Sequence, residues 1–362
     1  MQTVSMPRFS DVRRFDEIDS TNRWVAEQAR GGAAEGLVAV AGMQSAGRGR
    51  LDRTWIAPSG SALLCTVLVR PQMPMARWHW LNLAMAVAAQ DAVRLLGTSF
   101  ANKSGSQGSQ GQSGDDDLHP DGDKSSVRDV PVESTGSRAV AVKWPNDLIV
   151  PSMGDRKLAG ILAEMVLPAN GQGAVAVGIG LNVRRPLEVD PEVAGRGVWL
   201  DELICAPTKS LLQTNDESPN NRLSIVENGS SAETTQCVKQ AANPGQNSSE
   251  IQITSASQTS SRLQNVSPTV DEVLLVLLAE FERQVAEVED HPTAFLETYR
   301  QRCITVGREV RAMLPSSEII GTASGIDGDG QLLVTTEGGT THTISAADVV
   351  HIRPAEVTLP TA

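Results

Sequence analysis

The pattern of apolar and polar positions divides the chain into compact apolar runs separated by polar stretches. Residues 37–41 and 61–69 predict two short strands, the second apolar and rich in β-formers. Residues 78–96 predict an alanine-rich helix, with Gly97 as its stop. Before these, Asp19-Ser20-Thr21-Asn22 leads into a helical run from Arg23 to Arg30. Ser20 or Thr21 serves there as the N-cap and Gly31 as the C-cap. Residues 139–142 predict a buried strand that 148–150 continue. Residues 157–166 and 174–183 are further apolar runs, the second pinched by Gly178 and Gly180. Glycines inside a strand often mark the close approach of a ligand or another backbone.

Thr269-x-x-Glu272 forms a capping box ahead of Val273, Leu274, Leu277, Leu278, Phe281, Val285 and Val288. That spacing is one face of a core helix, and Phe295 to Tyr299 sit on a second short one. Residues 306–314, 319–326, 332–336 and 341–344 predict short strands. Their turns fall at Gly307, Asp327-Gly328-Asp329-Gly330 and Gly338-Gly339, and imply a small all-β barrel. Residues 101–138 and 206–268 are rich in Ser, Gly, Gln and Asn and poor in large apolar side chains. Both are expected to be disordered insertions, since they cannot bury enough surface to order themselves. The expected organisation is a catalytic domain over 1–300, carrying both insertions, and a small β-barrel domain over 301–362.

Charge and composition narrow the function classes. A net charge of −12 argues against non-specific nucleic-acid binding, which needs basic tracts for phosphate contacts. No N-terminal signal pattern is present, and no window approaches the roughly 18 apolar residues of a membrane span. Cys65, Cys205, Cys237 and Cys303 lie far apart, with no Cys-x-x-Cys pair. A reduced, cytoplasmic protein is the expectation.

The candidate chemistry gathers around Gln44 to Trp55, where glycines alternate with arginines: Gly47-Arg48-Gly49-Arg50. Glycine lets a ligand approach the backbone closely. Arginine offers a planar cationic fork for phosphate or carboxylate. The segment reads as a mobile cationic flap over an anionic ligand. About 90 residues on stand Lys143-Trp144-Pro145-Asn146-Asp147 and then Arg156-Lys157-Leu158-Ala159-Gly160-Ile161. No Gly-Lys-Ser/Thr triplet, His-Glu-x-x-His pair or Gly-x-Ser-x-Gly elbow occurs. Flap arginines, two lysines, an Asn-Asp pair and a Ser-Thr-Asn cap suit the joint binding of a carboxylate and a polyphosphate.

In this order and spacing, together with Gly178-Ile179-Gly180-Leu181-Asn182, the motifs closely resemble those of biotin–protein ligases. The resemblance implies an α+β fold: a mixed-sheet catalytic domain of the class II synthetase and biotin–lipoate ligase type, with a small C-terminal β-barrel. It implies formation of biotinyl-AMP from biotin and ATP with Mg2+, then transfer to a lysine of a biotin carboxyl carrier domain. Carried over, Ser20, Thr21, Asn22, Gln44, Arg48, Gly49, Arg50, Lys157 and Gly160 would bind biotin. Arg50, Trp55, Lys143, Asn146 and Asn182 would bind ATP or the adenylate. Lys157, Arg50 and Asp147 would be catalytic. The Ser20-Thr21-Asn22 motif starts almost at once, so a member without a DNA-binding domain is expected, with no DNA or membrane partner, as monomer or homodimer. Asp52 stands where the family commonly has glycine, so the flap's second half is expected to move differently, with the reaction unaffected. The alternatives are a lipoate–protein ligase and a non-catalytic biotin-binding adaptor. The Arg-Arg-x-x-Gly-Gly-Gly segment usual in lipoate ligases is missing.

Overall fold

The first three elements already explain one end of the molecule. Strand β1 (Asp11–Ile18) and strand β2 (Leu37–Gln44) pair in parallel, Asp11 opposite Leu37. A parallel pair needs a crossover, and helix α1 (Thr21–Arg30) supplies it. Strand β3 (Ala62–Val69), helix α2 (Trp80–Gly105), and strands β4 (Ala141–Lys143), β5 (Asp147–Val150), β6 (Arg156–Val166) and β7 (Ala174–Asn182) follow. The seven strands form one mixed sheet in the order β1-β2-β3-β7-β6-β5-β4. This computed structural model describes residues 7–50, 53–105, 139–167, 172–204, 267–314, 317–345 and 348–352. Residues 101–105, expected to open the first disordered insertion, instead continue helix α2, while 106–138 and 206–266 lie outside the described residues, as do Leu51 and Asp52.

Both faces of the sheet centre are covered, so its strands read as unbroken apolar runs. In β2, Leu37 and Ala39 pack with Val25, Ala26 and Ala29 of α1. Val38 and Val40 point the other way, with Leu63, Cys65, Val67 and Val69 of β3. That second face carries α2 and, after the short helices α3 (Pro191–Arg196) and α4 (Leu200–Ile204), helix α5 (Val270–Asp290). Helix α5 opens on the expected capping box between Thr269 and Glu272. Helix α6 (Pro292–Arg302) follows. The carboxylate of Asp91, only 3% exposed, draws α2, α5 and α6 together. It receives Arg283 at 2.8 Å and Arg302 at 2.7 Å. Among the described residues no helix is long and apolar enough to cross a membrane.

Two local expectations are overturned. Helix α2 does not stop at Gly97 but runs through it to Gly105. Continuing the helix buries Phe100 in the core, which outweighs the roughly 1 kcal/mol penalty of an interior glycine. Residues 148–150 do not continue the strand before them: β4 and β5 are an antiparallel hairpin pairing Lys143 with Asp147. The chain reverses at Trp144-Pro145-Asn146, with a cis bond before Pro145.

The C-terminal strands β8 (Glu309–Met313), β9 (Glu318–Ile326), β10 (Leu332–Thr335), β11 (Thr341–Ile344) and β12 (Asp348–His351) form an antiparallel sheet. Their order is β11-β10-β9-β8-β12, and β12 adds a strand that the sequence pattern had not marked. No pairing joins β11 to β12 among the described residues, so closure into a barrel is not seen.

The β9–β10 turn is held by its carbonyls. Arg300 donates to the Ile326 and Asp327 carbonyls, both at 2.8 Å. The indole of Trp80 donates to Asp329 at 2.9 Å, and that of Trp144 to Gly330 at 3.0 Å. The Trp144 backbone N–H also donates to Thr305 Oγ1 at 3.0 Å. The tryptophan of the Lys-Trp-Pro-Asn-Asp motif is thus a buried strut between the two sheets. Trp144→Phe keeps most of the ring and strands the Gly330 carbonyl. It should cost about 1–3 kcal/mol of stability, read from urea unfolding; an unchanged midpoint would mean the strut carries no weight.

Candidate active site

The site begins at the N-terminus of α1. Ser20 is the N-cap, and its hydroxyl accepts from the Arg23 N–H at 3.4 Å. This cap turns Thr21 and Asn22 inward, where both are buried. Gln44 ends β2 beside them, and its Oε1 accepts from the Thr21 N–H at 2.7 Å and the Thr21 hydroxyl at 3.0 Å. Thr66 of β3 lies between, 2.8 Å from Thr21 Oγ1, and donates to Asn22 Oδ1 at 2.7 Å. The Asn22 amide donates to the Leu162 carbonyl at 3.0 Å and to Glu164 at 2.9 Å. A chain of hydrogen bonds therefore runs along one wall from Gln44 to Glu164.

The glycine-arginine segment folds back on itself above this wall. The Trp55 N–H donates to the Gly47 carbonyl at 3.0 Å, and Gly49 N–H to the Arg53 carbonyl at 2.7 Å. Arg48 and Thr54 form a bridge between the two limbs. A side chain at position 47 would sit 2.3 Å from the Trp55 carbonyl, so the hairpin requires glycine there. The indole of Trp55 lies on the bare backbone of the sheet. A Cβ at Gly180 would be 2.5 Å from its ring, and one at Gly160 would be 3.0 Å from it. The expectation attached to Asp52 concerns a position outside the described residues.

Under this hairpin is a cavity of about 130 Å³. Ser20, Thr21, Asn22, Gln44, Arg48, Gly49, Arg50, Trp55, Asn146, Asp147, Lys157 and Gly160 all line it. The ammonium of Lys157 lies 2.7 Å from Asp147 Oδ1, a close ion contact off hydrogen-bond alignment, and 5.4 Å from the Trp55 ring centre. Asn146 is anchored through its amide to the Ile161 carbonyl at 3.1 Å, and Arg50 reaches its Oδ1 at 3.4 Å.

Two expected site residues stand off the cavity wall. The Asn182 amide donates to the Val198 carbonyl at 3.1 Å and the Lys157 carbonyl at 3.4 Å, so it holds the backbone that presents Lys157. Lys143 sits at the end of β4, with its charge felt at His351. Burial, more than that charge, pushes the His351 imidazole below its ordinary value. Two further residues went unmarked in the sequence. Thr66 is the single hydroxyl in the apolar run of β3, and Glu164 is a lone acid among the apolar residues of β6. Each breaks a pattern, and that break was the available signal. Cys65 also borders the cavity. Burial pushes its thiol up to about 12, so it stays a neutral, unreactive group.

The cavity therefore has a neutral hydrogen-bonding wall and a cationic wall. A ligand with a compact polar head and an anionic tail matches both. Gly178 is the most demanding position: a Cβ there would lie 1.8 Å from Asn22 Oδ1. Gly178→Ala should displace Asn22 and cost about 1–3 kcal/mol of stability through overpacking. Its urea midpoint relative to the parent protein tests this, and an equal midpoint would contradict the close approach.

Comparison with known proteins agrees with this geometry. The model of the Biotin/lipoate A/B protein ligase family matches residues 15–182, and that of the Biotin protein ligase C terminal domain matches 305–352. A Biotin--[acetyl-CoA-carboxylase] ligase of Mycobacterium tuberculosis is 29% identical over 351 residues, 95% of this chain and 91% of that protein. The bifunctional ligase/repressor BirA of Escherichia coli is 28% identical over 183 residues, 51% of this chain and 43% of its own length. A biotin protein ligase of Aquifex aeolicus, solved with biotin and ATP, superposes with a TM-score of 0.57 at 19% identity, covering 96% of this chain and 100% of its own. With the catalytic and C-terminal models matched in order, and the glycine-arginine hairpin and Lys157 facing one cavity, the chain belongs to the biotin/lipoate A/B protein ligase family, among its biotin protein ligases.

Proposed function

We propose that this protein activates biotin with ATP and passes it to a lysine of a biotin carboxyl carrier domain. The observation that carries the proposal is the placement of Lys157 between the anion-binding hairpin and Asp147 on one cavity wall. In the first step the biotin carboxylate attacks the α-phosphorus of ATP, the bond to the β-phosphate bridging oxygen breaks, and pyrophosphate leaves. Two anions must meet in that step. An ammonium touching both offsets their repulsion and the charge that develops on the phosphoryl oxygens. Arg50 supplies a second cation from the hairpin. In the second step an acceptor amine attacks the acyl carbon, AMP leaves, and the amine gives up a proton. Asp147 is the carboxylate nearest Lys157 and is assigned to orient or deprotonate that amine.

The neutral wall suits the ureido ring. Ser20, Thr21, Asn22 and Gln44 supply hydroxyl and amide groups, and Gly160 lets Lys157 and Trp55 lie close against the sheet. Trp55 is assigned to the adenosine side. Asn182 and Lys143 stand off the cavity, so Asn182 is assigned to holding the Lys157 backbone and Lys143 to the far end of the triphosphate. Magnesium would arrive with the triphosphate, as it commonly does with few protein ligands. Among the described residues, no group of three or more His, Cys, Asp or Glu could hold a metal ion. The mixed anhydride is open to hydrolysis, and a closed hairpin excludes water from it.

Lys157→Ala should leave thermal unfolding unchanged and lower biotin-dependent pyrophosphate release about 100- to 1,000-fold. Wild-type release rates would remove Lys157 from the chemistry. Substrate is tested with ATP, magnesium, an apo carrier domain and either labelled biotin or labelled lipoate. Label on the carrier from biotin alone is the expected result. Label from lipoate instead would move the assignment to the lipoate branch, and biotin binding with no turnover would leave a non-catalytic binder.

A further inference from the structure

Glu164 joins two parts of the site that the sequence leaves far apart. One oxygen, Oε2, accepts from the buried Asn22 amide at 2.9 Å, and the other, Oε1, pairs with Arg48 of the hairpin at 2.8 Å. Asn22 is only 5% exposed and belongs to the polar wall, whereas the Arg48 side chain is 44% exposed. The carboxylate is 25% exposed and stands outside the cavity lining. An ion pair at such exposure contributes little by itself. Its second oxygen changes the situation, because it is anchored on a side chain that is itself fixed at both ends. Asn22 cannot rotate without losing Thr66, the Leu162 carbonyl and Glu164 together.

The polarity of the chain is also set from this end. A carboxylate only accepts, so the Asn22 NH2 must face it and Asn22 Oδ1 must face inward. Thr66 Oγ1 then faces both Asn22 Oδ1 and Thr21 Oγ1, and the Thr21 hydroxyl donates onward to Gln44 Oε1. At the far end the Thr21 N–H fixes Gln44 Oε1 as an acceptor. The Gln44 amide is thereby presented with a defined orientation to the cavity.

We propose that Glu164 is a positioning residue that latches the closed hairpin to the ligand-binding wall. Seating of the ligand head on the wall and closure of the hairpin over its anionic tail are then one coupled event. The proposal rests on the biotin reading for its ligand, but not for the latch itself.

The test uses Glu164→Gln in the full-length protein. The substitution keeps an oxygen for the Asn22 amide and removes the charge that holds Arg48. Trypsin cleavage at Arg48, Arg50 and Arg53 in ligand-free protein, located by fragment mass, should speed up severalfold with no shift in thermal unfolding. Unchanged cleavage would overturn the latch, whatever the ligand is. With biotin and ATP, KM for biotin should rise about tenfold, while kcat falls less than threefold. The tenfold effect should vanish in an Arg48→Ala background, where the latch is already open. An effect of full size in that background, or an equal loss in kcat, would assign Glu164 a different role. Should wild-type protein show no biotin-dependent turnover, the functional reading fails, and the cleavage experiment still decides the latch.

Discussion

The site depends on a bare strip of sheet. Gly160, Gly178 and Gly180 leave the centre of β6 and β7 without side chains, and two side chains lie directly on that backbone. Asn22 occupies the space over Gly178, and Trp55 the space over Gly180 and Gly160. Every wall of the cavity is placed relative to these contacts. The helix terminus approaches from one side, the hairpin from above, and Lys157 from within β6 itself. A single methyl at the centre of the strip would move Asn22, which holds Thr66 and Glu164 in turn.

That arrangement separates rigid from closable parts. The hydrogen-bonded wall is built on helix and strand, where buried donors and acceptors are all matched and costly to disturb. The arginines ride on a hairpin held by three backbone hydrogen bonds among its described residues. The arginine charges therefore sit on the hairpin, whereas the Lys157 charge is built into β6. This placement suits a reaction in which two anions must be brought together and water kept away.

Much of this was legible in the chain because strong local rules were at work. The Ser20 cap, the Thr269 capping box and the doubly covered strands β2, β3 and β7 follow from side-chain chemistry and burial pattern alone. Strand β1 left no such trace. Its sequence, DVRRFDEI, is polar because it is an edge strand paired on one side only. The run through Gly97 was decided by burial of Phe100, a tertiary reward that no local propensity records. The reversal at Trp144-Pro145-Asn146 was hidden by two short apolar runs that read equally well as one strand. At the site, the family resemblance pointed to motif residues that line one cavity. Thr66 and Glu164 were missed because a single hydroxyl or acid in an apolar strand becomes informative only when its partner from a distant segment is known.

The strut at Trp144 has a consequence for how the protein is made. The indoles of Trp80 and Trp144 and the guanidinium of Arg300 donate to carbonyls between Ile326 and Gly330. On the ribosome, where chains grow at roughly 5–20 residues per second, the catalytic walls emerge well before that turn does. The Asn146–Asp147 corner that faces the cavity is tied to a tryptophan whose acceptor is synthesised almost two hundred residues later. A nascent chain therefore holds every motif of the site while lacking the brace that sets them.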